Sequence, residues 1–231
     1  MLLPGDPGRA LALAQELLEA PRMFNHNRGL WGYTGAYAAD GEPMTIQATG
    51  VGGPSAAVVL EELVALGLAR AIRVGTATAL DGTLALGELL VVERALCADG
   101  TSAALGALGE VEPDAGLLAA LRAGAPDAAS GAVVTGDLFY EDSEERLDDW
   151  RSRGARALEL SAAALFALAA RRGVRVGCVL AIAGRFEGGG ARRGGASERI
   201  VGGSERIGAE ALLEAGLAAG RVAAAALAAA R

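Results

Sequence analysis

No lysine occurs in this 231-residue chain; its basic side chains are 21 arginines and one histidine, His26. The arginine preference reads as a codon bias and points to no function. A formal net charge of −7 excludes the broad basic face that nucleic-acid binding needs, so the arginines must act locally. Cysteine is scarce too. Cys97 and Cys178 stand far apart in apolar runs without metal-ligand spacing, which reads as buried free thiols in a reducing cytoplasm and no metal site. Met1 to Pro7 lacks the basic and apolar regions of a signal peptide. The alanine-rich C-terminus is interrupted by Glu210, Glu214 and Arg221, too soon for a membrane span. A lone histidine in a polar loop is ordinarily solvated, so His26 is a minor candidate for catalysis.

What is present is an ordinary globular composition, 52% hydrophobic and 21% charged, consistent with one domain over 1–231. The central stretch is Arg70-Ala71-Ile72-Arg73-Val74-Gly75-Thr76-Ala77-Thr78, an apolar strand that ends in a small-residue loop. A guanidinium beside glycine and threonine suits an anion, because its rigid donor fork matches phosphate; a surface ion pair at Arg73 is the alternative. Near the N-terminus, Leu2-Leu3 ends a strand and Ala10 to Glu19 is a helix, with Asp6 as N-cap and Pro7 at its first position. This places Gly5 and Arg9 where a helix dipole favours an anion, or where the chain is simply punctuated.

Further along, Asn25 to Gly35 leads into an aromatic strand, and Ala39 to Glu42 turns it back along Met44–Thr49. Thr49-Gly50-Val51-Gly52-Gly53-Pro54-Ser55 joins strand to helix Ala56–Leu66; it lacks the third glycine and the later acid of a dinucleotide fingerprint. With Arg70–Val74 it forms a βαβ unit whose ligand site lies outside the strands' C-terminal ends. Strands are expected over Leu86–Val92, Ser130–Thr135, Arg156–Ser161 and Val174–Ala183, and helices over Asp114–Arg122, Ala162–Arg172 and Glu205–Ala230. Phe139 and Tyr140 belong either to the core or to a base-stacking platform. Glu159, a carboxylate in an apolar run, is either a satisfied structural acid or a ligand for hydroxyls. Phe186 to Gly203, rich in glycine and arginine, reads as a mobile loop near a site or as disorder. Strands alternating with helices give an α/β fold in three layers.

Five segments in order resemble the nucleoside phosphorylase family, in its hexameric branch of bacterial purine nucleoside and uridine phosphorylases. They are Leu3 to Arg9, Arg28 to Gly35, Thr49 to Ser55, Arg73 to Thr76 and Asp137 to Tyr140. The resemblance implies a three-layer α/β/α fold around a mixed, partly barrel-like sheet. It implies a phosphate pocket of Gly5, Arg9, Arg73 and Thr76, completed by Arg28 from a neighbouring subunit in a homo-oligomer, a hexamer built as a trimer of dimers. Inorganic phosphate is the co-substrate and no cofactor is implied. Phosphate attacks the anomeric carbon of a nucleoside as the base leaves, with Arg73, Gly184 and Arg185 at the positions of catalysis. Phe139 stacks on the base, Thr78, Leu158 and Gly184 border it, Val51 and Leu160 complete the apolar wall, and Glu159, Leu160 and Ser161 occupy the sugar segment.

Several positions depart from that pattern. The family's second sugar-binding Glu is Ser161 here, a loss of hydrogen bonds worth about 1.5–3 kcal/mol each. The Asp or Asn beside purine N7 is Gly184, and general acid catalysis is worth ~10²–10⁴ in rate. The glycine beside the base is Thr78. The N-terminal histidine that touches the sugar across the interface has no counterpart. The Gln and Arg that read uracil are replaced in Glu141 to Arg146, with Arg146 out of register, which disfavours uridine. The expectation is a purine nucleoside phosphorylase of the cytoplasm. The alternatives are a catalytically weakened nucleoside- and phosphate-binding oligomer, and a phosphorylase of uridine or a modified nucleoside.

Overall fold

The computed structural model describes residues 1–80, 82–186 and 205–230. Apart from Phe186, the loop expected over 186–203 lies outside the described residues. In chain order, β1 (Leu2–Pro4) leads into α1 (Pro7–Leu17), β2 (Leu18–Asn25), a 3-10 turn at Asn27–Gly29, β3 (Gly32–Tyr37) and β4 (Pro43–Gln47). Then come α2 (Gly52–Ala65), β5 (Arg70–Ala79), β6 (Leu89–Ala98), α3 (Gly100–Ala104), β7 (Glu110–Val111) and α4 (Ala115–Gly124). The rest is β8 (Ala129–Gly136), α5 (Glu144–Ser152), β9 (Ala155–Glu159), α6 (Ala162–Arg172), β10 (Arg175–Arg185), β11 (Glu205–Arg206) and α7 (Ala209–Ala229).

The sheet closes on itself. β10 pairs in parallel with β5 and antiparallel with β6, and the ring returns to β5 through β8 and β9. From β5 the sheet extends outward through β1 and β4 to β3 and β2, and β11 lies along the end of β10. Helices pack on both faces. One core gathers Leu60 and Leu63 of α2 and Leu165 and Phe166 of α6; the other gathers Leu13 of α1, Leu117 and Leu121 of α4 and Leu227 of α7. Strand alternation serves both, since Ala71 of β5 enters the first core and Ile72 and Val74 the second. A third cluster sets Leu147 and Trp150 of α5 against Val134 and Phe186. The three-layer α/β/α fold with a partly barrel-like mixed sheet is therefore borne out.

Local signals act as the side chains dictate. Asp6 caps α1 by accepting the Arg9 N–H at 2.7 Å, with Pro7 next to it. Gly173, at φ 68°, ends α6 in the left-handed conformation glycine tolerates. Elsewhere tertiary pairing overrides the sequence pattern. Gly75 to Ala79 is strand rather than a loop, because β10 supplies partners along its whole length. β2 follows α1 directly; its Pro21 is accommodated at the sheet's edge, where the register with β3 shifts between Glu19 and Arg22. β6 lies further along than expected, and the charged segment after Tyr140 forms α5, capped by Ser143 and with Glu144 and Glu145 in its first turn. By length and composition α7 is apolar enough to cross a membrane, despite Glu210, Glu214 and Arg221, but its alanine and glycine face packs in the core. Cys178 is buried and Cys97 half-buried; burial pushes both thiols upward, and both are free.

Candidate active site

A cavity opens where β1, β5, β9 and β10 end and α1 begins. Its deep end is built around Arg73. This guanidinium is 7% exposed, and its Nη1 donates to the Leu3 carbonyl oxygen at 3.3 Å and to Thr49 Oγ1 at 3.2 Å. Its Nε has no hydrogen-bond partner among the described residues. Gly5 lets it approach: a Cβ there would lie 3.3 Å from Arg73 Nη1 and 3.2 Å from the Gly50 carbonyl oxygen. Arg9, on the first turn of α1, lines the same cavity, and its stem runs over Gly216 of α7. Burial pushes the Arg9 guanidinium below the usual arginine range; Asp6 opposes this, and the charge of Arg73 adds to it. Two cations thus face one cavity beside the positive end of a helix. An anion there would relieve their repulsion.

Thr76, Thr78, Leu158, Glu159 and Leu160 also line the cavity. Glu159 is 3% exposed and fully engaged: it accepts the Thr135 hydroxyl at 2.5 Å, the Ala162 N–H at 2.7 Å and the Ser161 N–H at 2.9 Å. It holds the N-terminus of α6, as its reading as a satisfied structural acid requires, and it lines the cavity as well. Near the mouth, Phe139 is 46% exposed and stands edge-on to Tyr140, with centroids 5.0 Å apart; neither ring is in the core. The guanidinium carbon of Arg206 lies 5.4 Å from the Phe139 ring centroid.

Gly5, Arg9, Arg73, Thr76, Thr78, Val51, Phe139, Leu158, Glu159 and Leu160 therefore converge on one cavity. Four sequence candidates do not line it within one chain. Ser161 is 1% exposed at the N-cap position of α6 and is not part of the cavity lining. Gly184 sits in the ladder between Thr78 and Arg206. Arg185 pairs with Glu205. Arg28 sits exposed in the 3-10 turn, at φ 55°. Arg206 is the residue the sequence did not single out; it is one of five arginines between 185 and 206, and only the pairing of β11 with β10 brings it to the cavity.

A family model described as the phosphorylase superfamily matches residues 1–226. The chain belongs to this superfamily. Among its relatives are a guanosine phosphorylase from Halorubrum lacusprofundi, 35% identical over 80% of this chain and 78% of its own, and a DeoD-type purine nucleoside phosphorylase from Clostridium perfringens, 35% identical over 79% and 80%. A uridine phosphorylase from Treponema pallidum is 33% identical over 80% and 76%. The crystal structure of uridine phosphorylase from Vibrio fischeri, complexed with 6-hydroxy-1-naphthoic acid, superposes with a TM-score of 0.79 at 26% identity, covering 98% of this chain and 90% of that one. The family resemblance drawn from the five sequence segments is borne out.

Proposed function

We propose that this superfamily member is a nucleoside phosphorylase, a pentosyltransferase that converts a purine nucleoside and inorganic phosphate into free base and pentose 1-phosphate. The observation that carries this is the pair Arg9 and Arg73, two guanidiniums facing one cavity, one of them with an unpartnered donor. Gly5, Arg9, Arg73 and Thr76 hold phosphate. One of its oxygens bonds to the sugar anomeric carbon as the bond from that carbon to the base breaks, and the base departs with the electron pair and takes up a proton. The developing oxocarbenium charge lies beside the phosphate dianion, so the protein contributes positioning and electrostatics rather than a covalent step. Phe139 stacks on the base, with Thr78, Leu158 and Gly184 around it and Arg185 behind them. No cofactor is required. The purine assignment is supported by relatives named for guanosine and purine nucleosides.

The working unit is a cytoplasmic homo-oligomer, a hexamer as a trimer of dimers, of 1–231 domains in which Arg28 reaches the phosphate of a neighbour. Its support is the exposure of Arg28 next to β2, whose Met23 and Phe24 are about half exposed at the sheet's edge. A second reading rests on the engaged carboxylate of Glu159 and the burial of Ser161: with no free acid at the sugar wall, the preferred nucleoside carries a deoxy or modified sugar, or turnover has weakened and binding persists.

The test is base release from a panel of purine ribonucleosides, deoxyribonucleosides and uridine, with and without inorganic phosphate. Saturable phosphate dependence and formation of pentose 1-phosphate are expected. Base release at an equal rate without phosphate would replace the proposal by a hydrolase, and uridine turned over in preference to every purine would correct the base.

A further inference from the structure

We infer that Arg206 reads the O6 and N7 edge of a 6-oxopurine, so that the site selects guanosine and inosine over adenosine. This rests on the phosphorylase reading above and sharpens its base specificity. Arg206 lines the cavity on the side of Thr78 and Phe139, with its guanidinium over the Phe139 ring. The guanidinium lies over the exposed Phe139 ring, so a base that stacks on that face displaces it to the base's own edge. Across the ladder Arg206 is in register with Gly184, which has no side chain to neutralise it.

The acceptors around this end are already used. The two carboxylates lining the cavity are Asp6 and Glu159. Asp6 accepts the Arg9 N–H at the other end, and Glu159 is bound into α6. The carbonyl oxygen of Ala183, also in the lining, accepts the Ile207 N–H at 3.1 Å. Among the described lining residues the base end offers the fork of Arg206 and the hydroxyl of Thr78.

Guanine and hypoxanthine present two acceptors on one edge, O6 and N7, which a guanidinium engages with two parallel hydrogen bonds; adenine presents one acceptor and one amino donor there. An amino group facing a guanidinium sets donor against donor. As the bond from the anomeric carbon to N9 breaks, its electron pair spreads over N7 and O6. Arg206 then faces growing negative charge, and its hydrogen bonds strengthen in the transition state. The proton that neutralises the departing base comes from solvent.

The experiment compares wild type with Arg206→Gln and Arg206→Lys, using guanosine, inosine and adenosine at saturating phosphate, together with calorimetric binding of guanine and adenine. For wild type, kcat/KM is expected to favour the 6-oxo nucleosides. In Arg206→Gln it should fall roughly 10- to 100-fold for these, the range of a bidentate guanidinium contact to a guanine edge. Adenosine, which offers N7 as its one acceptor there, should fall by less, so that the guanosine-to-adenosine ratio drops, and Arg206→Lys, which keeps the charge without the fork, should recover only part of the loss. An unchanged guanosine-to-adenosine ratio in Arg206→Gln, or a wild type that prefers adenosine, overturns the inference. If no nucleoside is phosphorolysed, the phosphorylase reading fails by itself and base binding still decides: guanine bound about tenfold tighter than adenine in wild type but not in Arg206→Gln supports the inference, and equal affinities reject it. Matching melting temperatures exclude misfolding as the cause.

Discussion

The Thr135 hydroxyl donates to the Glu159 carboxylate at 2.5 Å and accepts the Ala163 N–H at 2.9 Å, so the two residues together accept the Ser161, Ala162 and Ala163 N–H groups at the start of α6. Ser161, the formal cap of that helix, makes no capping bond through its own side chain. Glu159 does the cap's work from the end of β9, joining strand to helix beside the cavity.

Glu159→Ala should therefore act first on stability. It strips a buried helix end of its acceptor and leaves Thr135 without one, at a cost of about 3 kcal/mol, read as a lower urea midpoint with an unchanged slope. Ser161→Glu should not restore a sugar contact. It places a second carboxylate next to Glu159 in a buried position, and a loss of at least about 2 kcal/mol with no gain in turnover is expected. A faster ribonucleoside turnover in this variant would show that position 161 does reach the sugar.

Arg73→Gln removes the buried donor fork of the anion site. A rise of roughly 10- to 100-fold in the KM for phosphate is expected, from the loss of charge-assisted hydrogen bonds. Stabilisation of the protein by added phosphate in thermal melts should disappear with it. Arg9→Gln should behave similarly. An unaltered phosphate KM in both variants would place the anion elsewhere.

Gly216→Ala separates activity from stability. The added Cβ would lie 3.0 Å from Arg9 Nε, so Arg9 must shift by a few tenths of an ångström. Alanine is the better helix former by about 1 kcal/mol, so the melting temperature should hold or rise. The KM for phosphate is expected to rise about two- to fivefold, because a positioning group has moved.

Burial pushes the Glu141 carboxyl up, but Arg146, which donates through Nε at 2.9 Å and Nη2 at 2.7 Å, and the N–H groups of Ser143 and Asp142 outweigh it and hold the group below the ordinary glutamate value of 4.5. A depressed value in the folded state means that the contact stabilises above pH 4.5 and is lost as pH falls through the folded value. Arg146→Gln should lower stability at neutral pH and flatten its decline on acidification, measured by urea unfolding between about pH 7 and pH 3. Parallel curves for the two proteins would remove this pair as a source of the pH dependence.

Much of this was legible because it is local. Asp6, Pro7 and the alternation of apolar residues in β5 act through neighbours in the chain, and α6 occupies the residues its pattern predicts, from Ala162 to Arg172. The family motifs likewise point to Gly5, Arg9, Arg73 and Thr76, which line one cavity. What escaped depends on distant partners. Gly75 to Ala79 has a loop's composition and becomes strand because β10 runs alongside it. Arg206 stands in an arginine-rich stretch without periodicity, and its ladder position opposite Gly184 is set by a strand distant in sequence. Ser161 occupies the sugar segment by sequence and is buried because Glu159 next to it draws the start of α6 inward.

The closure of the sheet by β10 also has a consequence for how the protein is made. Arg70 pairs with Arg175, so the ring is joined by strands from opposite halves of the chain. Such non-local pairing is slow, because the intervening loop entropy is lost before any contact rewards it. β10 and β11 flank the cavity, so a growing chain has Arg9 and Arg73 long before it has a finished cavity. The cavity is complete only with the last strands, and the like charges of Arg9 and Arg73 come to share it only at that final step.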